Sequence, residues 1–265
     1  MPKIENKLSI INTHLLEEYK LEVANYTIES KFEALEDAPI STDTFSLYTS
    51  VSAMASSNIE GEPLEIDSYV KYKMLNIDYK KKVIEKPNDL YNAYLFAQQN
   101  DLTKKSFLKA HQIIGKHLLA KSKLGKYRKL NMLVMEHKTF RIQFEAALFE
   151  EVEYLMKKLW SDIEILIKSP LSYEEVFYFA SFIHMVFVNI HPFEDGNGRS
   201  GRLLEKWFIA QKLGKKAWYL QSELNYYKNV NNYYKNLNRL GMFYQQLNYN
   251  LALPVLLMLP KTFNL

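Results

Sequence analysis

The sequence predicts an all-α fold organised around a central helix–loop–helix, with one small β-hairpin. Glycine is scarce, at 8 of 265 residues, and 48% of the residues are hydrophobic, which indicates a helix-rich chain with a sizeable core. The fifteen residues Val176–Ile190 are apolar nearly all round and are therefore expected to form a buried helix. A loop that contains Gly196 and Gly198 follows this helix, and a second helical segment begins directly after the loop.

Composition and charge exclude several classes of function. The chain has no cysteine, which excludes disulfides and thiolate zinc sites. Its 34 basic and 30 acidic residues give a net charge of +4, which suits an anionic ligand but does not by itself indicate nucleic acid. The N-terminus has no signal-peptide core, and Val176–Ile190, the longest apolar stretch, is shorter than the roughly 20 residues of a membrane span. We expect a soluble, cytoplasmic protein with no membrane partner.

The first part of the chain is predicted to be helical, with two candidate linkers. A helix from about Thr44 to Glu60 is expected to stop at Gly61, because glycine readily adopts the left-handed conformation of a helix end. The candidate linkers are Glu36–Thr44, around Pro39, and Lys80–Asn88, around Pro87. Further helices are predicted over Glu65–Ile77, Leu90–Asn100 and Phe107–Leu119.

The segment Gly125–Phe144 differs from its helical surroundings. Asn131–Met135 is β-prone, and apolar residues alternate with polar ones after a basic turn. The turn contains His137 and Lys138, and the alternating residues are Phe140, Ile142 and Phe144. We predict a short hairpin, or flap, in this segment, followed by an amphipathic helix over Glu150–Ile167.

The central helix pair has clear start and stop signals. Ser172 and Glu175 form a capping box, and Pro192 forces the first helix to end by about Ile190. The second helix is predicted over about Gly198–Leu213, before Gly214. Its inward residues are expected to be Leu203, Leu204, Trp207 and Phe208.

An imperfect heptad repeat follows, YYKNVNN at Tyr226–Asn232 and YYKNLNR at Tyr233–Arg239. Two heptads are too few for a coiled coil. One interpretation is an amphipathic helix with a tyrosine face; the other is an aromatic platform for a base or an RNA strand.

The loop between the two central helices carries chemistry. His191 follows the negative end of one helix, a position that favours its protonated form and makes it a better proton acceptor. Residues from Asn197 onward begin the next helix, where small glycines open free backbone N–H groups to an anion. Arg199 and Arg202 share one face there, and Asp195 suits Mg²⁺. Together these groups predict a site that reacts with a polyphosphate.

Two familiar loop motifs fit this segment poorly. Gly196, Gly198 and Gly201 spell the dinucleotide fingerprint, but that motif follows a strand and here a helix precedes it. A calcium loop starting at Asp195 would need glycine and glutamate where the chain has Ser200 and Lys206.

The pattern His-x-Phe-x-Asp-Gly-Asn-Gly-Arg-x-x-Arg, from His191 to Arg202, resembles the signature of the Fic family of protein adenylyltransferases. Supporting similarities extend over about Leu90–Asn248 and include Gly125-x-x-Arg128. The resemblance implies a Fic-type helical fold and transfer of AMP from Mg·ATP to a Ser, Thr or Tyr hydroxyl of a protein. It implies His191 as the catalytic base, Asp195 as the Mg²⁺ ligand, and an ATP phosphate site. The residues of that phosphate site are Gly196, Asn197, Gly198, Arg199, Ser200, Gly201 and Arg202.

A second similarity lies in the N-terminal part. Ser56-x-x-x-Glu60-Gly61 resembles the inhibitory motif of the family's subclass with an N-terminal inhibitory helix. Glu60 lies at a helix C-terminus, where a carboxylate is disfavoured by roughly 0.3–1 kcal/mol and a cation would offset the cost. The resemblance implies that Glu60 pairs with Arg202 and restrains the enzyme.

Several further expectations rest on the resemblance. Tyr233 and Tyr234 resemble a tyrosine pair beside the adenine, and a protein target is expected to dock at the flap around Met135–Ile142. His184 is expected to be a satisfied core histidine, and Gly201 to let Arg199 and Arg202 approach the anion. A homodimer is possible.

The predicted organisation is a helical region over 1–89 with the inhibitory motif, a Fic catalytic core over 90–215, and helices over 216–265 that complete the nucleotide pocket. The alternatives left open are phosphoryl or other nucleotide transfer, removal of AMP from the target, and a nucleic-acid-binding helical protein that uses the tyrosine and lysine repeat. The phosphorylating branch of the family typically has lysine where this chain has Gly198, which favours AMP transfer.

Overall fold

Helices make up nearly all of the regular structure in the computed structural model, which describes residues 7–36, 46–75, 77, 79–135 and 142–264. No helix in these ranges combines the length and the apolar character needed to cross a membrane. The helices are α1 (Leu16–Val23), α2 (Ile28–Glu33), α3 (Leu47–Ile59), α4 (Ile66–Leu75), α5 (Lys81–Gln98), α6 (Lys104–Ile114), α7 (Phe149–Lys168), α8 (Tyr173–Ile190), α9 (Asn197–Leu213), α10 (Ser222–Lys228), α11 (Val230–Asn238) and α12 (Leu253–Leu256), with short 3-10 turns between several of them.

Helix α8 is the centre of the core, as predicted. The capping box of Ser172 and Glu175 is present, and α8 is buried on almost every side. Helix α9 packs along it, and α1, α2, α7 and α12 surround the pair. The inward residues of α9 are those expected from its sequence, since Leu203, Leu204, Trp207 and Phe208 are all buried. The predicted helical fold is confirmed.

The predicted hairpin is also present. Strands β1 (Leu133–Met135) and β2 (Ile142–Glu145) pair antiparallel, with Leu133 opposite Glu145 and Val134 opposite Phe144. The backbone N–H of Glu145 donates to Met242 at 2.8 Å, which ties the hairpin to the segment after α11. The expected turn residues His137 and Lys138, and the alternating residue Phe140, lie outside the described residues.

No linker stands out in the sequence, and Lys80–Asn88, one of the two nearest candidates, is not a linker. These residues form the beginning of α5, and Pro87 lies inside the helix. Proline removes one helical hydrogen bond, but Ile84, Leu90 and Tyr91 around it are buried in the core and hold the segment helical. Burial therefore outweighs the local signal, and α5 runs through the proposed boundary between residues 89 and 90.

The observed ends of other helices differ from the predicted ends by a few residues. Helix α3 begins at Leu47, because the Ser46 side chain accepts a hydrogen bond from the Thr49 N–H and caps it. Thr44 and Pro39, in the other candidate linker, lie outside the described residues. Helix α4 is shorter than the predicted Glu65–Ile77. Helix α6 ends at Ile114, with Gly115 as its C-cap, five residues before the predicted end at Leu119.

The tyrosine repeat forms two short helices, α10 and α11, which meet at Asn229. Tyr226 and Tyr233 are both 2% exposed, whereas Tyr227 and Tyr234 are 37% and 41% exposed. The tyrosines therefore point in two directions and do not form one continuous exposed stripe.

Candidate active site

The loop between α8 and α9 begins with an unusual backbone conformation. His191 has φ 54° and ψ 58°, a left-handed conformation that non-glycine residues rarely adopt. Arg128 holds the loop in place, because its Nε donates to the His191 carbonyl at 2.8 Å and its backbone N–H donates to Pro192 at 2.8 Å. Such strain persists only where surrounding structure supports it, and it clusters at functional sites.

The hydrogen bonds of His191 determine which ring nitrogen is free. Nδ1 lies 3.1 Å from the Val188 carbonyl, which can only accept, so Nδ1 carries the proton and Nε2 keeps its lone pair. Burial lowers the pKa of His191 to about 4 and outweighs the Val188 hydrogen bond, which acts in the opposite direction. The expectation that the helix end favours the protonated form is therefore wrong, since the cost of desolvating the cation is larger. His191 is a neutral imidazole.

A second histidine, not identified from the sequence, supports the loop. His111 on α6 stacks on Phe193 with ring centroids 3.5 Å apart. Its Nδ1 accepts from the Gly125 N–H at 3.0 Å, so its Nε2 carries the proton and donates to the Asp195 carbonyl at 3.1 Å. Burial lowers its pKa to about 4, so it is neutral. The sequence feature that could have identified His111 is its position on the apolar face of a predicted helix.

The turn that leads into α9 is closed by Asn197. Its amide accepts from the Phe193 N–H at 2.9 Å and donates to the Phe193 carbonyl at 2.8 Å. Gly196 has φ 80°, which only glycine adopts without strain. The Asn197 side chain is bonded to the Phe193 backbone, so it is not free to bind an anion. Asn197 can instead contribute through its backbone N–H, because it is the first residue of α9.

Arg202 is fully buried and tied to α3. Its Nε donates to Ser56 Oγ at 2.8 Å, and its Nη2 donates to the Ser56 carbonyl at 3.0 Å and to Glu60 Oε1 at 2.7 Å. Burial raises the pKa of Glu60, but the charges of Arg202 and then Arg199 outweigh that effect and hold it below its ordinary value. Ser56, Glu60 and Arg202, which the sequence associates, therefore lie in direct contact.

Arg199 is paired with a carboxylate that the sequence did not indicate. Its Nη2 donates to Glu62 Oε1 at 3.2 Å, and the same oxygen accepts from Lys86 Nζ at 2.8 Å. Glu62 lies two residues after Glu60, beyond Gly61, which has φ 86°. The turn at Gly61 thus presents one carboxylate to each arginine of the loop.

Two glycines at the start of α9, Gly198 and Gly201, lie close to neighbouring side chains. A side-chain carbon at Gly198 would overlap the Glu60 carboxylate and lie 3.1 Å from Arg202 Nη1. At Gly201 it would lie 2.8 Å from Val188 Cγ1 and 3.0 Å from His184 Cδ2. Gly201 therefore allows α9 to pack on α8, and the expectation that it lets the arginines approach an anion is wrong.

A cavity of about 130 Å³ opens beside these groups. Glu60, His191, Gly198, Arg202, Tyr233 and Tyr234 line it, with Val134 and Phe144 of the hairpin. Several buried polar atoms in this neighbourhood have no hydrogen-bond partner within the described ranges. They are Arg199 Nε, Arg202 Nη1, Ser200 Oγ and Asn189 Nδ2. Of these residues, Arg202 and Asn189 line the cavity, so a ligand with oxygen acceptors in the cavity would satisfy their unpaired donors, which are otherwise costly.

The predicted tyrosine pair divides into two environments. The Tyr233 hydroxyl lies 3.0 Å from His184 Nε2, and His184 Nδ1 lies 2.8 Å from Glu205 Oε2. Tyr226 donates to the same Glu205 oxygen at 2.8 Å. His184 is therefore a satisfied core histidine, as expected, and Tyr233 is buried with it. Tyr234 is the partly exposed member of the pair and lines the cavity.

Asp195 is the loop's exposed carboxylate. Its Oδ1 accepts from the Gly196 N–H at 2.6 Å, which leaves the second oxygen available. No group of three or more acidic or histidine side chains suited to a metal occurs among the described residues. Mg²⁺ is usually held by one or two carboxylates together with substrate phosphates. The donor set therefore fits Mg²⁺ that arrives with a nucleotide.

This chain is similar to known proteins in sequence and in fold. Residues 101–209 match the Fic/DOC family model. A Fic family protein from Desulfovibrio desulfuricans is 19% identical with a TM-score of 0.68, over 100% of this chain and 73% of that one. A Fic domain containing signaling protein from Bacteroides thetaiotaomicron is 19% identical with a TM-score of 0.65, over 89% and 92% of the two chains.

A fragment of Fic-1 from C. elegans is 15% identical with a TM-score of 0.66, over 95% of this chain and 70% of that one. The search of curated proteins found no match. Residues 101–209 are thus similar to the Fic/DOC family, and the chain has the fold of these Fic structures.

Proposed function

We propose that this chain transfers AMP from ATP to a hydroxyl side chain of a protein, and that Glu60 restrains the reaction. The observation that carries the proposal is the loop itself. It combines a neutral histidine with a free Nε2, the N-terminus of α9, and two buried arginines with unpaired N–H groups. These groups suit a reaction at a phosphate, where a base and fixed positive charge are both needed.

The proposed reaction is a single displacement at phosphorus. The target hydroxyl oxygen bonds to the α-phosphorus of ATP, the bond from that phosphorus to the bridging oxygen breaks, and pyrophosphate leaves with the bond's electron pair. His191 Nε2 takes the hydroxyl proton. A neutral imidazole is required for this role, and burial keeps His191 neutral at cytoplasmic pH.

The positive groups of α9 would hold the phosphates. Backbone N–H groups at the start of the helix bind anions, and guanidinium groups grip phosphate oxygens by two parallel hydrogen bonds. Asp195 would hold Mg²⁺ on the phosphates through its free oxygen. When bound, Mg²⁺ would neutralise phosphate charge and so favour the departure of pyrophosphate.

Glu60 would restrain the reaction by occupying Arg202. Its carboxylate takes the guanidinium N–H that a phosphate oxygen would otherwise accept from. It also lines the cavity, whose volume of about 130 Å³ is below the range of about 300–1,000 Å³ that is typical of small-molecule sites. Movement of Glu60 would therefore free a donor and enlarge the site together.

Two alternatives remain distinguishable by experiment. Transfer of a phosphoryl group would move the γ-phosphate of ATP, whereas AMP transfer moves the α-phosphate. Binding of nucleic acid through the tyrosine repeat is disfavoured, because Tyr226 and Tyr233 are buried and their hydroxyls are engaged with Glu205 and His184.

The test is labelling with ATP that carries the radioactive phosphate at either the α or the γ position. We expect Glu60→Gly protein to incorporate α-label, into itself or an added protein mixture, and no γ-label. His191→Ala in the same background is the control and should abolish incorporation. Incorporation of γ-label, or α-labelling that survives the loss of His191, would contradict the proposal.

A further inference from the structure

The charges of the chain are unevenly distributed along its length. Residues 102–135 contain eight lysines and one arginine but no aspartate or glutamate. The whole chain has 34 basic and 30 acidic residues, so 25 basic residues accompany the 30 acidic ones outside this segment. The small net charge therefore conceals one strongly basic segment in an otherwise acidic molecule.

This basic segment borders the catalytic loop. It comprises α6 and the chain that leads to β1, and it touches the loop at three points. His111 stacks on Phe193, Arg128 donates to the His191 carbonyl, and Lys123 pairs with Glu194 at 2.5 Å. Lys105, Lys109, Lys116, Lys121, Lys126 and Lys129 are exposed. The positive charge thus lies on the surface next to the residues proposed to react.

Three lysines of the basic segment line one groove, which we call the lysine groove. Lys104, Lys126 and Lys129 line a cavity of about 340 Å³ together with the apolar side chains of Leu108, Tyr127, Phe149 and Val152. Its one acidic lining residue, Glu153, pairs with Lys104 at 3.3 Å. Within the described ranges, Lys126 and Lys129 take part in no ion pair. The groove therefore has apolar walls and uncompensated positive charge.

The lysine groove lies at the base of the hairpin. The Phe149 N–H donates to Asn131 Oδ1 at 2.9 Å, so the start of α7 closes on the chain just before β1. Leu130 and Leu133, which follow Lys129, are 72% and 47% exposed. A polypeptide that passes along the hairpin would reach the lysine groove without leaving the surface.

We propose that the lysine groove binds an acidic segment of the protein that accepts AMP, near its modified residue. This inference rests on the proposed function, because it specifies the charge of the protein that would accept AMP. Charge complementarity of this kind mainly sets partner choice and association rate. Carboxylates would meet the three ammonium groups, and apolar side chains between them would contact the groove walls.

The groove suits a peptide better than a nucleic acid. Its cationic groups are lysines, which act as point charges, and Arg128 is buried with its guanidinium bonded to backbone carbonyls. Strong binding of single-stranded nucleic acid typically uses exposed aromatic rings for base stacking. Tyr127, the aromatic residue nearest the lysines, is only partly exposed and lies under Lys104 at 5.6 Å.

The test measures binding of a fluorescent peptide that contains six glutamates interrupted by two leucines. The protein is the full chain with His191→Ala, so that no transfer occurs. We expect binding at low salt that weakens as ionic strength rises, because salt screens exposed charges. Lys104→Glu, Lys126→Glu and Lys129→Glu together should weaken binding at least tenfold.

The matched control makes the same charge change elsewhere. Lys81→Glu, Lys82→Glu and Lys228→Glu alter three exposed lysines outside the basic segment and should leave the affinity within about twofold. Equal loss in both triple variants, or no loss in the first, overturns the inference. Tighter binding of a single-stranded RNA of equal charge also overturns it, in favour of a nucleic-acid partner.

The outcome is separable from that of the proposed function. The binding measurement needs no transfer, whereas the labelling measurement needs no acidic peptide. Peptide binding without AMP labelling would leave the groove as a binding surface and reject the proposed reaction. AMP labelling without peptide binding would reject only the proposal that the lysine groove binds an acidic segment.

Discussion

Arg199 and Arg202, two arginines one helical turn apart at the start of α9, are held in very different ways. Arg202 has no exposed surface and donates three hydrogen bonds to α3, two of them to Ser56 and one to Glu60. Arg199 donates one bond, to Glu62, which is shared with Lys86. The N-terminal region therefore makes three hydrogen bonds to Arg202 but only one to Arg199, and Lys86 competes for the carboxylate that Arg199 contacts.

The largest effect is expected at the inner arginine. Glu60→Gln should raise the affinity for ATP by about 10- to 100-fold, because hydrogen bonds to charged groups contribute about 1.5–3 kcal/mol and this one competes with the phosphate. Titration calorimetry on the His191→Ala background measures the affinity without turnover. The Ser56→Ala variant is the control for general loosening of α3. An unchanged affinity in Glu60→Gln would contradict the account.

The pH dependence should follow the low pKa of His191. The base is active when neutral, and protonation removes activity as the pH falls through the pKa of about 4. In the Glu60→Gly variant, kcat/KM at pH 5 should therefore be nearly equal to its value at neutral pH. An ordinary histidine with a pKa of about 6.5 would lose about 30-fold at that pH. An acid limb near 6.5 would show that burial does not control this residue.

A smaller effect is expected at the outer arginine. Glu62→Gln should raise ATP affinity only about threefold, because Lys86 already competes for the Glu62 carboxylate and a single hydrogen bond as long as 3.2 Å lies at the low end of the usual contribution of about 0.5–1.5 kcal/mol. Glu65→Gln, a neighbouring change of the same kind, should have no effect. If Glu62→Gln raises the affinity for ATP as much as Glu60→Gln does, Arg199 and Arg202 are restrained equally, contrary to this prediction.

The smallest effect is expected for Glu60→Gln in a Gly198→Ala background, which tests whether Glu60 and Gly198 are energetically coupled. An added methyl group at Gly198 would overlap the Glu60 carboxylate, so Gly198→Ala should displace Glu60 from Arg202. Combining Gly198→Ala with Glu60→Gln should then change ATP affinity little beyond Gly198→Ala alone. Independent, additive effects in this double-mutant cycle would show that Glu60 does not approach Gly198 in solution.

Sequence reasoning succeeded where the chemistry is local. The residues from His191 to Arg202 are adjacent, so that the spacing of two arginines and the start of α9 could be inferred from helical geometry. The capping box at Ser172 and the hairpin are likewise set by neighbouring residues. The contact of Glu60 with Arg202 was anticipated only through a motif, since 142 positions separate the two residues.

The remaining features depend on packing between distant segments. Glu62 meets Arg199 across 137 positions, and His111 meets Asp195 across 84. The low pKa of His191 comes from burial by several elements, which a single helix end does not reveal. Pro87 was taken as part of a linker because the surrounding core, which keeps it helical, is not visible in the local sequence.

The central claim is that Glu60 restrains transfer of AMP by holding Arg202. The most direct measurement is intact-protein mass spectrometry after incubation with Mg·ATP, comparing wild type with Glu60→Gly. The account predicts that the variant gains the mass of one or more AMP groups while wild type gains little. Equal masses in the two proteins, or a gain equal to phosphate alone, would contradict it.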